Sequence, residues 1–252
     1  MLIGLLPRFM QFHTATDLVR VGRDFDGGYL ISKSDIYASD ALIGLGINDD
    51  WSFESDFCQY KDVPIYAYDA SVSKKVFFKN IKNSLRKFHR PKLLLHWIKV
   101  YCSYKKFFTG NRKHIEKFVG VNAGGNNCSM EDVFDDVNYS NIFLKIDIEG
   151  SEYRILDTLI KNQDKITGMV IEFHDCDVHI GIIESFIKNI NINLVHIHAN
   201  NYAPIIIDNS FPITLELTFS KHAKREDKVS MPHKLDMPNN EKIDEVALRI
   251  RD

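Results

Sequence analysis

The chain has 252 residues with 44% hydrophobic and 26% charged side chains, enough for one α/β domain that buries its core without covalent staples. Its four cysteines (Cys58, Cys102, Cys128, Cys176) form no CxxC pair and no zinc-like cluster, which excludes a disulfide scaffold and reads as reduced thiols. The apolar start Met1 to Arg8 is too short for a signal segment and no run is long enough to span a bilayer, so the expectation is a soluble, cytoplasmic protein.

The formal net charge of −2 conceals an asymmetry. Between Ser71 and His114 there are 13 Lys or Arg and no Asp or Glu, leaving 19 basic against 34 acidic residues elsewhere. Phe77, Phe78, Phe88, Trp97, Tyr101, Tyr104, Phe107 and Phe108 interleave with those cations. The stretch suits an anionic partner: a nucleotide diphosphate, a phosphorylated glycan, a membrane surface or nucleic acid. A solvated helical excursion that balances an acidic body explains it equally well.

In chain order, Leu18 to Val21 and Tyr29 to Ile31 flank Asp26-Gly27-Gly28, a hairpin signal. Residues 1–40 therefore read as an N-terminal hairpin and helix extension. Ala41 to Leu45 predicts a strand breaking at Gly44-Leu-Gly46, with a helix from about Ser52; Val63 to Tyr68 predicts a second strand ending in Asp69. The basic tract, residues 74–114, reads as a helical insertion with a break near Arg90-Pro91. Phe118 to Asn122 reads as the third strand, and Ser129 as the cap of a following helix. Further strands are expected at 142–148, 169–173, 194–198 and 213–219, with a helix near 180–190. Val246 to Ile250 can add an edge. Strands alternating with helices imply a mainly parallel sheet in a single domain over residues 1–252.

Two ends of strands carry chemistry. The glycine pair Gly44 and Gly46 lets backbone approach a ligand, and Asp69 follows at the distance typical of a ribose-binding acid. The third glycine of the dinucleotide fingerprint is missing. Asp49, Asp50 and Glu54 would repel a pyrophosphate at the helix start, which argues against NAD and for a cofactor with a ribose and a cationic centre. S-adenosylmethionine fits. Farther along, Ile142 to Ile148 is an apolar run that ends in Asp147 and Glu149, costly carboxylates to bury without a cation, a proton or a donor. Glu149 and Glu152 also suit the start of a helix.

Asp26-Gly-Gly-Tyr-Leu30, Gly44-Leu-Gly-Ile-Asn-Asp-Asp-Trp-Ser-Phe-Glu54, Tyr66-Ala-Tyr-Asp69, Leu144-Lys-Ile-Asp-Ile-Glu-Gly-Ser-Glu152 and Ile171-Glu-Phe-His174 occur in this order. In these pieces the chain resembles the FkbM-type methyltransferases, a branch of the class I S-adenosylmethionine-dependent superfamily with a Rossmann-like fold. The resemblance implies a sheet of about seven strands, mostly parallel with the last antiparallel, and methyl transfer to a hydroxyl. It implies cofactor contacts at Gly44, Gly46 and Asp69, with Phe53 and Glu54 opening the helix beneath and Asn122 bordering the adenine. Asp26, Gly28 and Tyr29 are expected over the methionine end, although a simple hairpin turn explains the glycines as well.

Methylating an alcohol requires removal of its proton, so a base or a metal must help. His174 has the ordinary pKa for a base, and Asp147 can take the proton or orient the imidazole. Asp147, Glu172 and His174 also suit Mg2+ or Mn2+ with open positions for sugar hydroxyls. His198, Asn200 and Asn201 are expected at the substrate. The reading is an O-methyltransferase acting on a nucleotide-linked or surface-glycan (capsule or lipopolysaccharide) sugar, a small-molecule substrate rather than nucleic acid. Membrane contact through 74–114 and homo-oligomer formation stay open. The rivals are a nucleic-acid methyltransferase that uses the basic tract and a binding module that keeps the fold without chemistry.

Overall fold

In the computed structural model, which describes residues 2–86, 90–120, 124–206 and 210–251, short apolar runs alternate with amphipathic helices. The N-terminal part comprises β1 (Leu2–Leu6), β2 (Thr14–Ala15), the hairpin β3 (Leu18–Val21) and β4 (Tyr29–Ser32), and α1 (Lys33–Ala38). Next come β5 (Ala41–Leu45), α2 (Ser52–Tyr60) and β6 (Ile65–Tyr68). The basic tract folds as α3 (Lys74–Leu85) and α4 (Pro91–Phe107), followed by β7 (Arg112–Ile115), β8 (Phe118–Val119), β9 (Asn127–Cys128) and α5 (Met130–Asp136). β10 (Ile142–Ile146), α6 (Leu156–Lys161), β11 (Ile166–Phe173), α7 (Cys176–Asn189) and β12 (Asn193–Ala199) lead to β13 (Leu215–Ser220), β14 (Arg225–Glu226) and β15 (Val246–Ile250).

The central sheet has seven strands in the order β12-β13-β11-β10-β5-β6-β7. β13 runs antiparallel to both neighbours, while the other pairs are parallel. The chain builds outward from β5 to β7, then returns to place β10 on the other side of β5. That reversal puts a crevice at the carboxyl ends of β5 and β10, where open α/β sheets bind ligands.

All five residues of β10 are buried, because helices or loops cover both faces of the sheet. Leu144 and Ile146 point to the face carrying Val133, Leu156, Leu159 and Ile183. Phe143 points to the other, where its ring lies 5.3 Å from Phe57 and 6.3 Å from Phe53. Burying a side chain of this size stabilises by about 1.5–3 kcal/mol, so each face is anchored through this one strand. Ser129 caps α5 as expected: its hydroxyl accepts from Asp132 N (3.1 Å) and the Asp132 carboxylate accepts from Ser129 N (2.8 Å).

The third strand of the sheet is Arg112–Ile115 rather than Phe118–Val119, and Val121 and Asn122 of the expected strand lie outside the described residues. β7 is an edge strand of half-exposed, charged side chains, so it carries no apolar run to betray it. Its cations cover aromatic rings instead: Lys113 Nζ sits 5.2 Å from the Tyr66 ring centre, and the Arg112 guanidinium 5.0 Å from that of Phe107. Phe118–Val119 pairs with Asn127–Cys128 in a separate ribbon. The helical insertion therefore ends at Phe107, and residues 112–114 belong to the sheet. β15 joins β1 in a parallel ribbon away from the main sheet. Among the described residues no helix is long and apolar enough to cross a membrane, and all four cysteines are free.

Candidate active site

A cleft of about 920 Å3 opens at the carboxyl ends of β5 and β10. Its floor depends on Gly46, which turns with φ +76° directly against β10; a Cβ there would lie 1.8 Å from the Asp147 carbonyl oxygen. Asp69 stands on the adjoining wall. Its Oδ2 accepts from the backbone N–H groups of Ile47 (3.0 Å) and Asn48 (2.8 Å), and its Oδ1 from Ser71 N (2.8 Å) and Oγ (2.6 Å). Those four donors fill the lone-pair sites of the carboxylate. Asp69 thus orders the turn after β5, and a ribose hydroxyl at this wall would share its oxygens with Ser71.

Gly44 does not line the cleft. It packs behind it, where an added Cβ would come 2.5 Å from Glu54 Oε1. Glu54 is fully buried, and this oxygen has no hydrogen-bond partner among the described residues. Burial pushes the Glu54 carboxyl up to about 7, opposed by the charge of Lys145. Lys145 itself is buried in the middle of β10. Burial favours its neutral form, but Asp147, Glu54 and Glu172 overcome that and hold its ammonium above the ordinary range. Its Nζ donates to the Gly46 carbonyl and lies 3.5 Å from Asp147 Oδ2. A lysine inside an otherwise apolar strand is the sequence signal for this residue, since buried Lys is rare unless paired.

At the acceptor end, strand register places Glu172 of β11 opposite Glu216 of β13, and His198 of β12 opposite the same Glu216. Glu172 Oε2 accepts from the Tyr29 hydroxyl (2.9 Å) and Oε1 from Asn200 Nδ2 (2.8 Å). Burial, reinforced by Asp147 and Glu216, pushes the Glu172 carboxyl up to about 8. His174 follows β11, with Nδ1 3.2 Å from Glu152 Oε1. Burial alone would lower its pKa, but Glu152, Glu172 and Asp147 raise it to about 9. At neutral pH the imidazole therefore carries its proton, and the expectation of an unperturbed base does not describe it. Glu152 is fully buried and also accepts from Ile148 N (3.0 Å) and Gly150 N (3.2 Å), so it fixes both the turn and the ring.

Among the described residues the group that could hold a cation differs by one residue from the expected one. Ligand atoms of Asp147, Glu149 and His174 all lie within 4.8 Å of one another, whereas Glu172 is engaged by Tyr29 and Asn200. Left-handed backbone at Glu149 (φ +53°) and Gly150 (φ +91°) turns the chain sharply after Asp147. Of the two readings of Glu149, a strand-end carboxylate or a helix start, the second does not hold, because the regular helix begins only at Leu156.

Of the other expected residues, Asp26, Tyr29, Gly46, Phe53, Glu54, Asp69, Asp147, Glu172, His174 and Asn200 line the cleft. Gly28 does not: it packs under Arg23 and Arg20 within the hairpin, where a Cβ would meet the Arg23 carbonyl. Asn122 lies outside the described residues. His198 is buried between Glu216 (3.0 Å) and Glu245 (3.1 Å), and Asn201 Nδ2 donates to the carbonyls of Asn240 and Ile243 (both 3.0 Å). Both fasten the C-terminal segment rather than face the cleft, because carboxylate and carbonyl acceptors from that segment reach them first.

Among the described residues eight Asp or Glu and three Lys or Arg line the cleft, a balance that favours a cationic ligand. No family model matches the chain and no curated protein matches it in sequence. Among solved structures, the chain is similar to a precorrin-6y C5,15-methyltransferase from Geobacter metallireducens (13% identity, 75% of this chain and 86% of that one, TM-score 0.38). It is also similar to a methyltransferase FkbM from Methylobacillus flagellatus (14% identity, 71% and 44%, TM-score 0.39). A fibrillarin pre-rRNA processing protein from Methanococcus jannaschii is a third (11% identity, 75% and 70%, TM-score 0.38). Superpositions this loose add nothing to the strand order, which carries the assignment by itself. A seven-stranded sheet whose growth reverses between β5 and β10, with β13 inserted antiparallel, is the class I S-adenosylmethionine-dependent methyltransferase fold.

Proposed function

We propose that the chain is an FkbM-type S-adenosylmethionine-dependent O-methyltransferase whose acceptor is a sugar hydroxyl, nucleotide-linked or part of a surface glycan. The observation that carries the reading is the acidic cleft at the reversal of the sheet, with Asp69 on one wall and Asp147, Glu172 and His174 on the other. S-adenosylmethionine, when bound, supplies an electrophilic methyl group on a sulfonium cation. The Gly46 turn, Asp69 and Ser71 would hold its ribose end, and the carboxylates near Tyr29 suit its positive centre.

The proton of the acceptor hydroxyl needs a destination. Glu172 is occupied by two donors, and His174 already holds a proton. Among the described residues the Asp147 carboxylate has only long contacts, 3.4 Å from Tyr29 Oη and 3.5 Å from Lys145 Nζ, so it is the carboxylate best placed to accept. His174, oriented by Glu152, then positions the sugar by donating from Nε2. Asp147, Glu149 and His174 would hold Mg2+ or Mn2+, which would displace the imidazole proton and acidify the hydroxyl.

The test is methyl transfer from S-adenosylmethionine to a panel of nucleotide sugars, with and without EDTA. Turnover is expected, and Asp147→Asn lowers kcat by about a hundredfold or more as for loss of a general base. Inhibition by EDTA that Mg2+ or Mn2+ reverses would mean that a bound cation acidifies the hydroxyl before a base takes its proton. Turnover on RNA with none on any sugar would overturn the acceptor class.

A further inference from the structure

We propose that the α3–α4 hairpin docks the protein on an anionic lipid bilayer. The hairpin holds itself together through one face: Phe77 and Tyr104 are buried, with ring centres 5.0 Å apart. Outside that contact large apolar groups stand partly in water, with Phe78 56% exposed although its ring lies 5.1 Å from that of Tyr101, Leu85 52%, Leu95 57% and Ile98 40%. Exposed single apolar residues are ordinary on a protein surface. These four share one hairpin and alternate with cations at helical spacing. Phe78, Lys82 and Leu85 lie on one side of α3, and Leu95, Ile98, Lys99 and Lys106 on one side of α4.

Three of the four, Leu85, Leu95 and Ile98, offer no flat face on which a base could stack, which disfavours single-stranded nucleic acid as the occupant. A bilayer uses both kinds of side chain. The apolar groups enter the boundary of the acyl chains while the lysine stems run up to the headgroups. Charge complementarity sets the orientation. The tract from Ser71 to His114 has 13 cations and no anion, whereas the rest of the chain is acidic overall, 34 Asp or Glu against 19 Lys or Arg. An anionic surface attracts the hairpin and repels the body. His96 Nε2 lies 3.4 Å from Asp49 Oδ2 at the rim of the cleft, so a docked hairpin holds the cleft close to the membrane.

The full chain is sedimented with vesicles of phosphatidylcholine alone and with vesicles containing phosphatidylglycerol; binding of an oligouridine is followed in parallel. Binding to the phosphatidylglycerol vesicles is expected, weakening with salt. The triple variant Lys82→Gln, Lys99→Gln, Lys106→Gln should lower the partition by roughly a hundredfold. Leu95→Ser with Ile98→Ser should lower it by about tenfold without affecting any oligouridine binding. All five positions are exposed, and unchanged melting of each variant confirms its fold. Equal binding to neutral vesicles, or a partition that neither variant alters, overturns the proposal. So does tighter binding of oligouridine that only the lysine variant removes. Methyl transfer to a soluble nucleotide sugar is measured on the same variants and should not change, so the two readings fail separately.

Discussion

Gly46→Ala tests the geometry on which the cleft rests. The added Cβ would lie 1.8 Å from the Asp147 carbonyl oxygen, and real Cβ atoms essentially never come within 3.0 Å. The ends of β5 and β10 must therefore part by about 1.2 Å. They are pinned by the bond from Asp147 N to Leu45 O at 3.0 Å, whose loss costs about 1 kcal/mol. Holding an L-residue near left-handed backbone, here φ +76°, costs a further 1–2 kcal/mol or so. The expected loss is about 3 kcal/mol, which for a chain of this size lowers Tm by roughly 6–12 °C. Gly150→Ala is the control: φ is +91° there, but nothing lies within 4 Å of the new Cβ. Only the backbone term applies, about 1–2 kcal/mol. Thermal and urea melts compare the two, and calorimetric titration with S-adenosylmethionine reads the cleft, where Gly46→Ala should lower affinity at least about tenfold. If the two variants melt together and bind alike, β5 and β10 do not meet as described.

Lys145→Met leaves Asp147, Glu54 and Glu172 without their buried counter-charge and should cost about 3 kcal/mol or more at pH 8. The cost should shrink at pH 5 in urea melts, because Glu54 and Glu172, raised to about 7 and about 8, are then neutral. Asp35 is buried, and burial pushes its carboxyl from the ordinary 3.8 to about 7. The native state thus keeps a proton that the unfolded chain releases, and stability falls as pH rises through that window, by at most about 4 kcal/mol at 1.36 per unit. Asp35→Asn should flatten this slope; an unaltered pH profile would remove Asp35 as its cause. Ser129→Ala opens the capping box of α5 and should cost about 1 kcal/mol, read by urea melts, with no change in cofactor affinity.

How much of the molecule is legible in the sequence depends on where each residue's partners lie. β10 is legible because it is buried on both faces, which forces an apolar run, and its turn follows at once in Glu149-Gly150. β7 is not, because an edge strand can satisfy the sheet with Arg, Lys and His covering rings. Asp69 and the Gly46 turn are visible from spacing. Gly44 is visible as a glycine, but its purpose, clearance for Glu54, requires knowing that α2 folds back against β5.

The end of the cleft at β11 and β12 is hidden in the sequence for a single reason. Each of its residues has a pKa and a free or occupied state set by neighbours far away in the chain. His174 looks like a base until Glu152, 22 positions earlier, is found on its Nδ1. Glu172 looks like a metal ligand until Tyr29, 143 positions earlier, donates to it. His198 looks like a substrate contact until Glu245, 47 positions later, closes over it. Once those partners are counted, Asp147 is left as the weakly engaged carboxylate beside a protonated imidazole. On the proposed reading that carboxylate, 3.5 Å from the buried Lys145 Nζ, is where an acceptor hydroxyl would send its proton.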